Sequence, residues 1–216
     1  MRHTPAARTV RRPTDRALRV GLTGGIGAGK STVAALLEAH GAVVTSADEI
    51  SRDVVSPGSD GLAAVVAEFG EEILAPDGSL DRSALGHMVF SDELRRARLE
   101  EILLPLIAAE AWARMETVPA GQVAVYDVPL LAEGQMQDLF DLVVVVETSL
   151  ELRLERLARR GMKRDEALAR ISSQATDEER RAVADIVLSN SGSIDQLSAD
   201  VDRLWSTRIK ESETIS

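Results

Sequence analysis

The residues with the clearest capacity for chemistry form a glycine-rich segment, Gly24–Ser31, whose letters GGIGAGKS match the pattern G-x-x-x-x-G-K-S. Glycines in such a turn let backbone N–H groups converge on phosphate oxygens, and a following helix N-terminus favours an anion. The lysine of the pattern, Lys30, reaches the β- and γ-phosphates of a nucleotide, and the hydroxyl of Ser31 is a ligand for Mg²⁺. The segment therefore predicts a phosphate-binding loop for a nucleoside triphosphate.

The elements that must position this loop follow a βαβ pattern. A short apolar run, Arg19–Thr23, predicts a strand before the loop, and Ser31–His40 predicts the helix after it, with Gly41 placed to end that helix in a left-handed conformation. Further predicted strands are Ala42–Thr45, Val123–Tyr126, Leu142–Val146 and Ile186–Leu188. The run Leu142–Val146 is wholly apolar, as in a central parallel strand buried on both faces. The predicted fold is α/β, with a parallel five-stranded sheet.

A long insertion between the second and third strands is predicted to be mostly helical. One helix face repeats apolar residues at helical spacing, and so does a second. The first face comprises Leu62, Val65, Val66, Phe69 and Ile73, and the second comprises Leu99, Ile102, Leu103 and Leu106. Pro105 lies inside the second pattern and predicts a kink or break near Leu104, because proline removes a helical hydrogen bond.

Two capping boxes are predicted after the fourth strand. Thr148 and Glu151 have the spacing that opens a helix, which Gly161 would end, and Thr176 with Glu179 repeats the signature. Residues 161–176 are therefore predicted to be a small helical excursion.

Composition excludes several classes of function. The chain has no cysteine and three histidines, which excludes thiolate zinc sites, iron–sulfur clusters and cysteine nucleophiles. Its net charge is −10 and it has six aromatic residues, so nucleic acid is not an expected partner. No apolar run is long enough to span a bilayer, so we expect a cytoplasmic protein with no membrane and no obligate protein partner. Residues 1–18 form an arginine-rich head that we predict to be a disordered extension.

A phosphate loop alone does not name a reaction, because GTPases, ATPase motors and small-molecule kinases share it. No N-K-x-D motif for guanine is present, and the chain is too short for a motor with its own sensor regions. The class that remains is a small kinase with a helical acceptor-binding insertion and a short arginine-bearing lid. The alternatives at this point are a nucleoside-monophosphate or other metabolite kinase, and a nucleotide-binding protein without turnover.

Several ordered motifs resemble the dephospho-coenzyme A kinase family over Arg19–Arg208. The segment Leu22–Ser31 is similar to that family's phosphate loop almost letter for letter. The other matching segments are Ala47-Asp48, Val54-Val55, Pro57-Gly58, Leu80-Asp81-Arg82, Asp127–Leu131, Arg160-Gly161-Met162, Arg170-Ile171 with Gln174, and Ala184-Asp185 with Asn190 and Gly192. The resemblance implies the fold of nucleoside-monophosphate kinases and transfer of phosphate from ATP, with Mg²⁺, to the ribose 3′-hydroxyl of dephospho-coenzyme A.

The resemblance also implies site residues and domain boundaries. Catalytic residues would be Asp48, Lys30 and Arg160, and the metal ligands would be Ser31 and Asp127. The nucleotide would contact Gly25, Ile26, Gly27, Ala28, Gly29, Lys30, Ser31, Thr32, Arg156, Asn190 and Gly192, and the acceptor would contact Asp48, Asp81, Arg82, Asp127, Pro129 and Leu130. The nucleotide-binding core would be residues 19–48, 119–158 and 183–216, the acceptor-binding insertion 49–118 and the lid 159–182.

The residue types are chemically consistent with these roles. Asp48 follows the second strand, at the carboxyl edge of the sheet where open α/β folds bind ligands, and could orient an attacking hydroxyl. Asp127 ends the third strand like a Walker-B carboxylate. Arg153, Arg156 and Arg160 share one helix face, as a cationic clamp for polyphosphate would, although for Arg153 and Arg159 we predict an ordinary solvated helix face.

Two positions depart from the family pattern. Ser46 stands where the family usually has an aspartate, and Leu104 precedes Pro105 where the family usually has a histidine. A serine can form hydrogen bonds but supplies no charge. Ser46 therefore bears on the organisation of metal or substrate, and Leu104 bears on the acceptor and keeps the alternative acceptors open.

Overall fold

The structure is a computed structural model that describes residues 12–90 and 92–210. The chain divides into two compact units, one formed by Met1–Thr45 with Met115–Ser216 and the other by Ser46–Arg114. The strands are β1 (Leu18–Thr23), β2 (Val43–Ser46), β3 (Val123–Asp127), β4 (Leu142–Glu147) and β5 (Ile186–Ser189). The helices are α1 (Lys30–Ala39), α2 (Ala47–Asp53), α3 (Asp60–Phe69), α4 (Arg82–Phe90), α5 (Glu93–Glu116), α6 (Leu150–Arg159), α7 (Arg164–Ser172), α8 (Asp177–Val183) and α9 (Ile194–Leu204).

The first unit is built on a five-stranded sheet in the order β2-β3-β1-β4-β5. The pairings of β1 with β3, β1 with β4, and β4 with β5 are parallel. The α/β fold and all five predicted strands are therefore confirmed, with bounds that shift by one residue. Because β1 lies between β3 and β4, the loop after β1 emerges at the carboxyl edge where the chain switches sides of the sheet, which is the ligand-binding edge of open α/β folds.

The core of this unit joins the sheet to two helices. Side chains of β1, β3 and β4 pack with Val33 and Leu37 of α1 and with Leu197 and Val201 of α9. Every residue of the run Leu142–Val146 is at most 1% exposed, so the prediction of a strand buried on both faces is confirmed. Gly41, with φ of 97°, follows the end of α1 as predicted.

The second unit is helical and differs from the sequence patterns at two points. Ile73 is buried with the apolar face of α3, but it lies in a separate 3-10 turn after Gly70, so the predicted single helix face was wrong there. Of the kink or break predicted near Leu104, the break is wrong, because α5 runs through Pro105 from Glu93 to Glu116. Pro105 and Glu101 are both exposed, so the carbonyl that proline leaves without a partner can bond water.

One of the two predicted capping boxes is present. Thr176 and Glu179 cap α8 reciprocally, as predicted. The N-cap of α6 is Ser149 rather than Thr148, and its hydroxyl accepts a hydrogen bond from the N–H of Leu152 at 3.3 Å. The hydroxyl of Thr148 instead pairs with that of Ser191 at 3.2 Å.

The core begins before the boundary predicted at Arg19. Ala17 and Leu18 are buried, and Arg16 forms a two-pronged hydrogen bond with the carboxylate of Asp141 at 2.7 and 2.8 Å. The first eleven residues of the predicted disordered head lie outside the described residues. Within 12–90 and 92–210, no helix is both long and apolar enough to cross a membrane.

Candidate functional site

The glycine-rich segment forms a loop between β1, which ends at Thr23, and α1, which begins at Lys30. Gly27 and Gly29 have φ of 79° and 96°, a left-handed conformation that side chains other than glycine rarely adopt. A Cβ atom on Gly29 would lie 2.1 Å from the side-chain nitrogen of Asn190. Both the backbone conformation and the close approach of Asn190 therefore require glycine at position 29.

Two carbonyl groups of the loop, those of Ile26 and Ala28, are held by side chains from distant elements. Nε of Arg153 donates to the oxygen of Ile26 at 2.9 Å. The oxygen of Ala28 accepts from Nη1 of Arg156 at 3.1 Å and from Nδ2 of Asn190 at 2.8 Å. In a planar trans peptide the N–H points opposite to the carbonyl, so the N–H groups of Gly27 and Gly29 turn to the other side. Backbone N–H groups turned to one side in this way can form a concave site for an anion.

Lys30 and Asp127 meet at the edge of the sheet. Nζ of Lys30 lies 3.1 Å from Oδ1 of Asp127, and both side chains are largely buried. Asp127 ends β3 opposite Leu22 of β1, so the parallel register places it next to the loop. Burial, and to a smaller extent the negative charge of Asp127, raises the pKa of the neighbouring Tyr126 side chain.

Two predicted residues carry the kind of oxygen ligand that a magnesium ion would need. Ser31 carries an exposed hydroxyl in the first turn of α1, and Asp127 supplies a carboxylate in the same unit. Within the described residues, no group of three or more His, Cys, Asp or Glu could hold a metal. Magnesium at a nucleotide needs only one or two protein oxygens, because phosphates and waters complete its octahedron.

The turn after β5 supports the loop. Asn190 is buried, and its main-chain oxygen accepts from Nη2 of Arg156 at 2.8 Å. Its N–H donates to the oxygen of Glu147 at 2.7 Å, which ties the turn to β4. Gly192 lies beside Gln196, whose Oε1 would be 2.3 Å from a Cβ at position 192. The structure thus brings Asn190 and Arg156 to the phosphate loop.

The arginines of α6 do not share one environment. Arg153 is 5% exposed and its solvated-face prediction is wrong, because the side chain reaches across to Ile26. Arg159 is exposed and pairs with Glu155 at 2.5 Å, so for this residue the solvated-face prediction is confirmed. Arg160 is the exposed C-cap residue of α6, at the start of the predicted lid.

Two residues at this loop were not among the predicted site residues. Oε1 of Gln174 accepts a hydrogen bond from the N–H of Ile26 at 2.8 Å, and the side chain of Ile26 packs against the cluster formed by Leu154, Leu157 and Ala167. The segment after α7 is thereby attached to the tip of the loop. The other missed residue is Arg153, whose helical spacing was visible but whose burial was not.

The remaining predicted residues of this unit lie in two places. Thr32 is half-buried in α1, directly after Ser31. Pro129 follows β3, and its carbonyl accepts a hydrogen bond from the hydroxyl of Thr23 at 3.5 Å. Leu130 next to it is 51% exposed, which is unusual for a large apolar side chain beside a buried strand.

Three predicted residues belong to the second unit, which is described by itself. Asp48 is exposed in the first turn of α2, whose N-cap Ser46 accepts a hydrogen bond from the N–H of Glu49 at 3.4 Å. Asp81 caps α4, accepting from the N–H groups of Ser83 and Ala84 at 2.9 Å each. Arg82 is exposed at the first position of that helix.

Comparison with known proteins gives consistent matches. The family model described as dephospho-CoA kinase matches residues 18–196. The dephospho-CoA kinase of Frankia casuarinae is 55% identical over 186 residues, which cover 86% of this chain and 81% of that protein.

Solved structures agree in fold. TT1252 from Thermus thermophilus superposes with a TM-score of 0.73 and 33% identity, covering 88% of this chain and 97% of that one. The dephospho-CoA kinase from Campylobacter jejuni gives a TM-score of 0.63 and 25% identity, covering 87% and 95%.

Proposed function

Because this chain belongs to the dephospho-CoA kinase family, we propose that its phosphate loop binds ATP and that it transfers the γ-phosphoryl group to the ribose 3′-hydroxyl of dephospho-CoA. The products are CoA and ADP, and the reaction completes CoA biosynthesis. The observation that carries the proposal is the loop itself. The carbonyls of Ile26 and Ala28 are held by Arg153, Arg156 and Asn190, which turns the N–H groups of Gly27 and Gly29 to the other side, where phosphates can accept from them.

On the donor side, Lys30 supplies the mobile positive charge. Its ammonium group is held by Asp127 at 3.1 Å and can move to the β- and γ-phosphates on a flexible stem. Ser31 and Asp127 would hold Mg²⁺, which when bound neutralises charge on the phosphates and lowers the barrier to transfer. Arg160, exposed at the end of α6, would add a cation to the transferring group.

On the acceptor side, Asp48 would accept a hydrogen bond from the attacking hydroxyl and orient it. Its carboxylate is exposed and makes no hydrogen bond or ion pair within the described residues, so it is available to a substrate. The hydroxyl of Ser51 donates to the main-chain oxygen of Asp48 at 2.9 Å, which stiffens the helical turn that carries the carboxylate. Phosphoryl transfer depends mainly on such positioning and on electrostatics.

The two departures from the family pattern do not alter the residues proposed for this chemistry, Lys30, Ser31, Asp48 and Arg160. Ser46 caps α2 through its hydroxyl, a task that serine and aspartate perform about equally well, so α2 still begins where Asp48 requires it. Leu104 is 54% exposed on α5. Asp81, Arg82, Pro129 and Leu130 remain the proposed contacts for the acceptor.

The test is an ADP-release assay with Mg-ATP and dephospho-CoA, in which mass spectrometry locates the new phosphate on the product. We expect turnover with dephospho-CoA and much less with adenosine or nucleoside monophosphates. ATP binding without turnover on dephospho-CoA would contradict the proposal. Turnover on a different acceptor would contradict the acceptor assignment and implicate Ser46 and Leu104.

A further inference from the structure

Two arginines that are not among the proposed substrate contacts are among the most deeply buried polar side chains of the described residues. Arg153 of α6 is 5% exposed and Arg180 of α8 is 1% exposed. Both guanidinium groups approach the same oxygen of Asp177, at 3.6 and 3.1 Å. Two buried positive charges therefore share one carboxylate, which is itself partly exposed to solvent.

The hydrogen bonding of this pair is incomplete. Nη2 of Arg153, and Nε and Nη2 of Arg180, are buried without an acceptor among the described residues. Burial lowers the pKa of Arg153, Asp177 opposes that shift, and the charge of Arg180 adds to it. The carboxylate of Glu179 also interacts electrostatically with Arg180, but it lies at the surface and accepts a hydrogen bond from the N–H of Thr176. The cluster therefore holds positive charge that its own acidic partners do not compensate.

This arrangement is costly for a purely structural cluster. Buried ions that lack partners lose hydration without recovering it, and apolar residues of similar volume usually fill such a space at least as well. The charge of Arg153 and Arg180 is therefore best explained by an interaction with something negative nearby.

The excess charge lies directly against the phosphate loop. Nε of Arg153 donates to the oxygen of Ile26, and a Cβ on Gly25 would lie 2.5 Å from Nη2 of Arg153. This guanidinium therefore contacts the loop at the carbonyl of Ile26, whose peptide turns the N–H of Gly27 to the opposite side. Arg180 is linked to Arg153 through Asp177, which accepts a hydrogen bond from Nη1 of Arg180 at 3.1 Å.

We propose that Arg153 and Arg180 form a buried positive charge behind the phosphate loop that strengthens the binding of nucleotide polyphosphate through space. Asp177 limits the net positive charge of this cluster, because its carboxylate neutralises one of the two positive charges. Charges interact more strongly in the protein interior than in water, so contact with the phosphates is not required. This inference rests on the proposed function of the loop. Arg180 acts on the bound phosphates through its charge and does not touch them.

The test changes the charge of the cluster in opposite directions. Arg180→Met removes one positive charge, and Asp177→Asn removes the compensating negative charge. Calorimetry on the full chain, without magnesium and at low ionic strength, would measure the dissociation constants of ADP and inorganic tripolyphosphate. We expect Arg180→Met to weaken both by roughly tenfold and Asp177→Asn to tighten both by roughly threefold, with larger effects on the more highly charged tripolyphosphate.

Matched controls separate this effect from general surface charge and from folding. Arg159→Met and Glu155→Gln make the same charge changes on the exposed face of α6 and should alter the dissociation constants less than about twofold, because water and salt screen them. Arg180→Lys keeps the charge and should restore most of the affinity. Thermal unfolding of each variant reports whether it folds. If Arg180→Met does not fold, the result for Asp177→Asn tests the proposal.

The outcomes distinguish the two proposals. If the unaltered chain binds ADP and tripolyphosphate but Asp177→Asn weakens binding or leaves it unchanged, the charge proposal is overturned while the function of the loop stands. If the unaltered chain binds neither ligand, the proposed function is overturned and this inference with it.

Discussion

The phosphate loop and the helical turn that carries Asp48 are built in different ways. The loop is held by contacts from residues far away in the chain, since Arg153, Gln174 and Asn190 all bond to its backbone. The turn of Asp48 is held by neighbours, Ser46 and Ser51, and its carboxylate is exposed. The proposed donor side is thus held by contacts within the protein, whereas Asp48 on the proposed acceptor side is exposed.

This difference has a physical basis. A nest for phosphate needs several backbone N–H groups aligned at once, and only a surrounding set of acceptors and donors can hold that strained loop. A carboxylate that orients one hydroxyl needs only a rigid helix turn beneath it. Substitutions should therefore damage the loop through its shape and damage the turn through its charge.

The largest expected effect is that of Asp48→Asn. The amide keeps the size of the side chain but weakens its acceptance of the proton from the attacking hydroxyl, so kcat should fall by roughly 10²- to 10⁴-fold. The dissociation constant of ATP should change little, because the lost interaction serves the acceptor. Steady-state kinetics with separate ATP titrations checks this, and a kcat near that of the unaltered enzyme would remove Asp48 from the mechanism.

Gly29→Ala should damage nucleotide binding instead of the acceptor step. A side chain at φ of 96° is strained by about 1–3 kcal/mol, and its Cβ would also meet the amide of Asn190. We expect the dissociation constant of ATP to rise by roughly ten- to a hundredfold. Calorimetry measures it, and unchanged binding would show that the loop is less constrained than its contacts imply.

Ser46→Ala should cost about 1 kcal/mol of stability, because α2 loses the hydroxyl that caps it. Ser46→Asp should keep that stability, since a carboxylate caps equally well, while adding the charge that the family usually has there. Chemical denaturation compares the three chains. Equal stability of all three would mean that the 3.4 Å hydrogen bond to Glu49 contributes nothing.

Gly86→Ala has the smallest expected effect and the opposite sign. Gly86 lies inside α4, and the methyl group that alanine adds would meet no surrounding atom within 4 Å, so the substitution should stabilise the chain by about 0.4–1 kcal/mol. The same glycine-to-alanine change at Gly29 should weaken ATP binding, so the pair compares a left-handed backbone with a helical one. A fall in the denaturation midpoint for Gly86→Ala would contradict the helical geometry of α4.

The sequence by itself determined the elements whose signals are local. The glycine pattern and Lys30 predicted the strand, loop and helix around them, the apolar run Leu142–Val146 predicted a buried strand, and Thr176 with Glu179 predicted a helix start. Each signal works because a few neighbouring residues decide the backbone conformation or the burial of that segment. The continuation of α5 through Pro105 was not predicted, because the sequence alone does not show that Glu101 is exposed, so that its carbonyl can bond water in place of the missing proline N–H.

Tertiary structure alone decided which side chains act together. Helical spacing predicts a surface position for Arg153, yet the residue is buried because the loop of Ile26, 127 positions away, packs over it. Gln174 reaches the same loop across 148 positions, and Thr148 loses its capping role because its hydroxyl meets Ser191. Local sequence encodes conformation, but hydrogen bonds between distant segments form only once the sheet has brought those segments together.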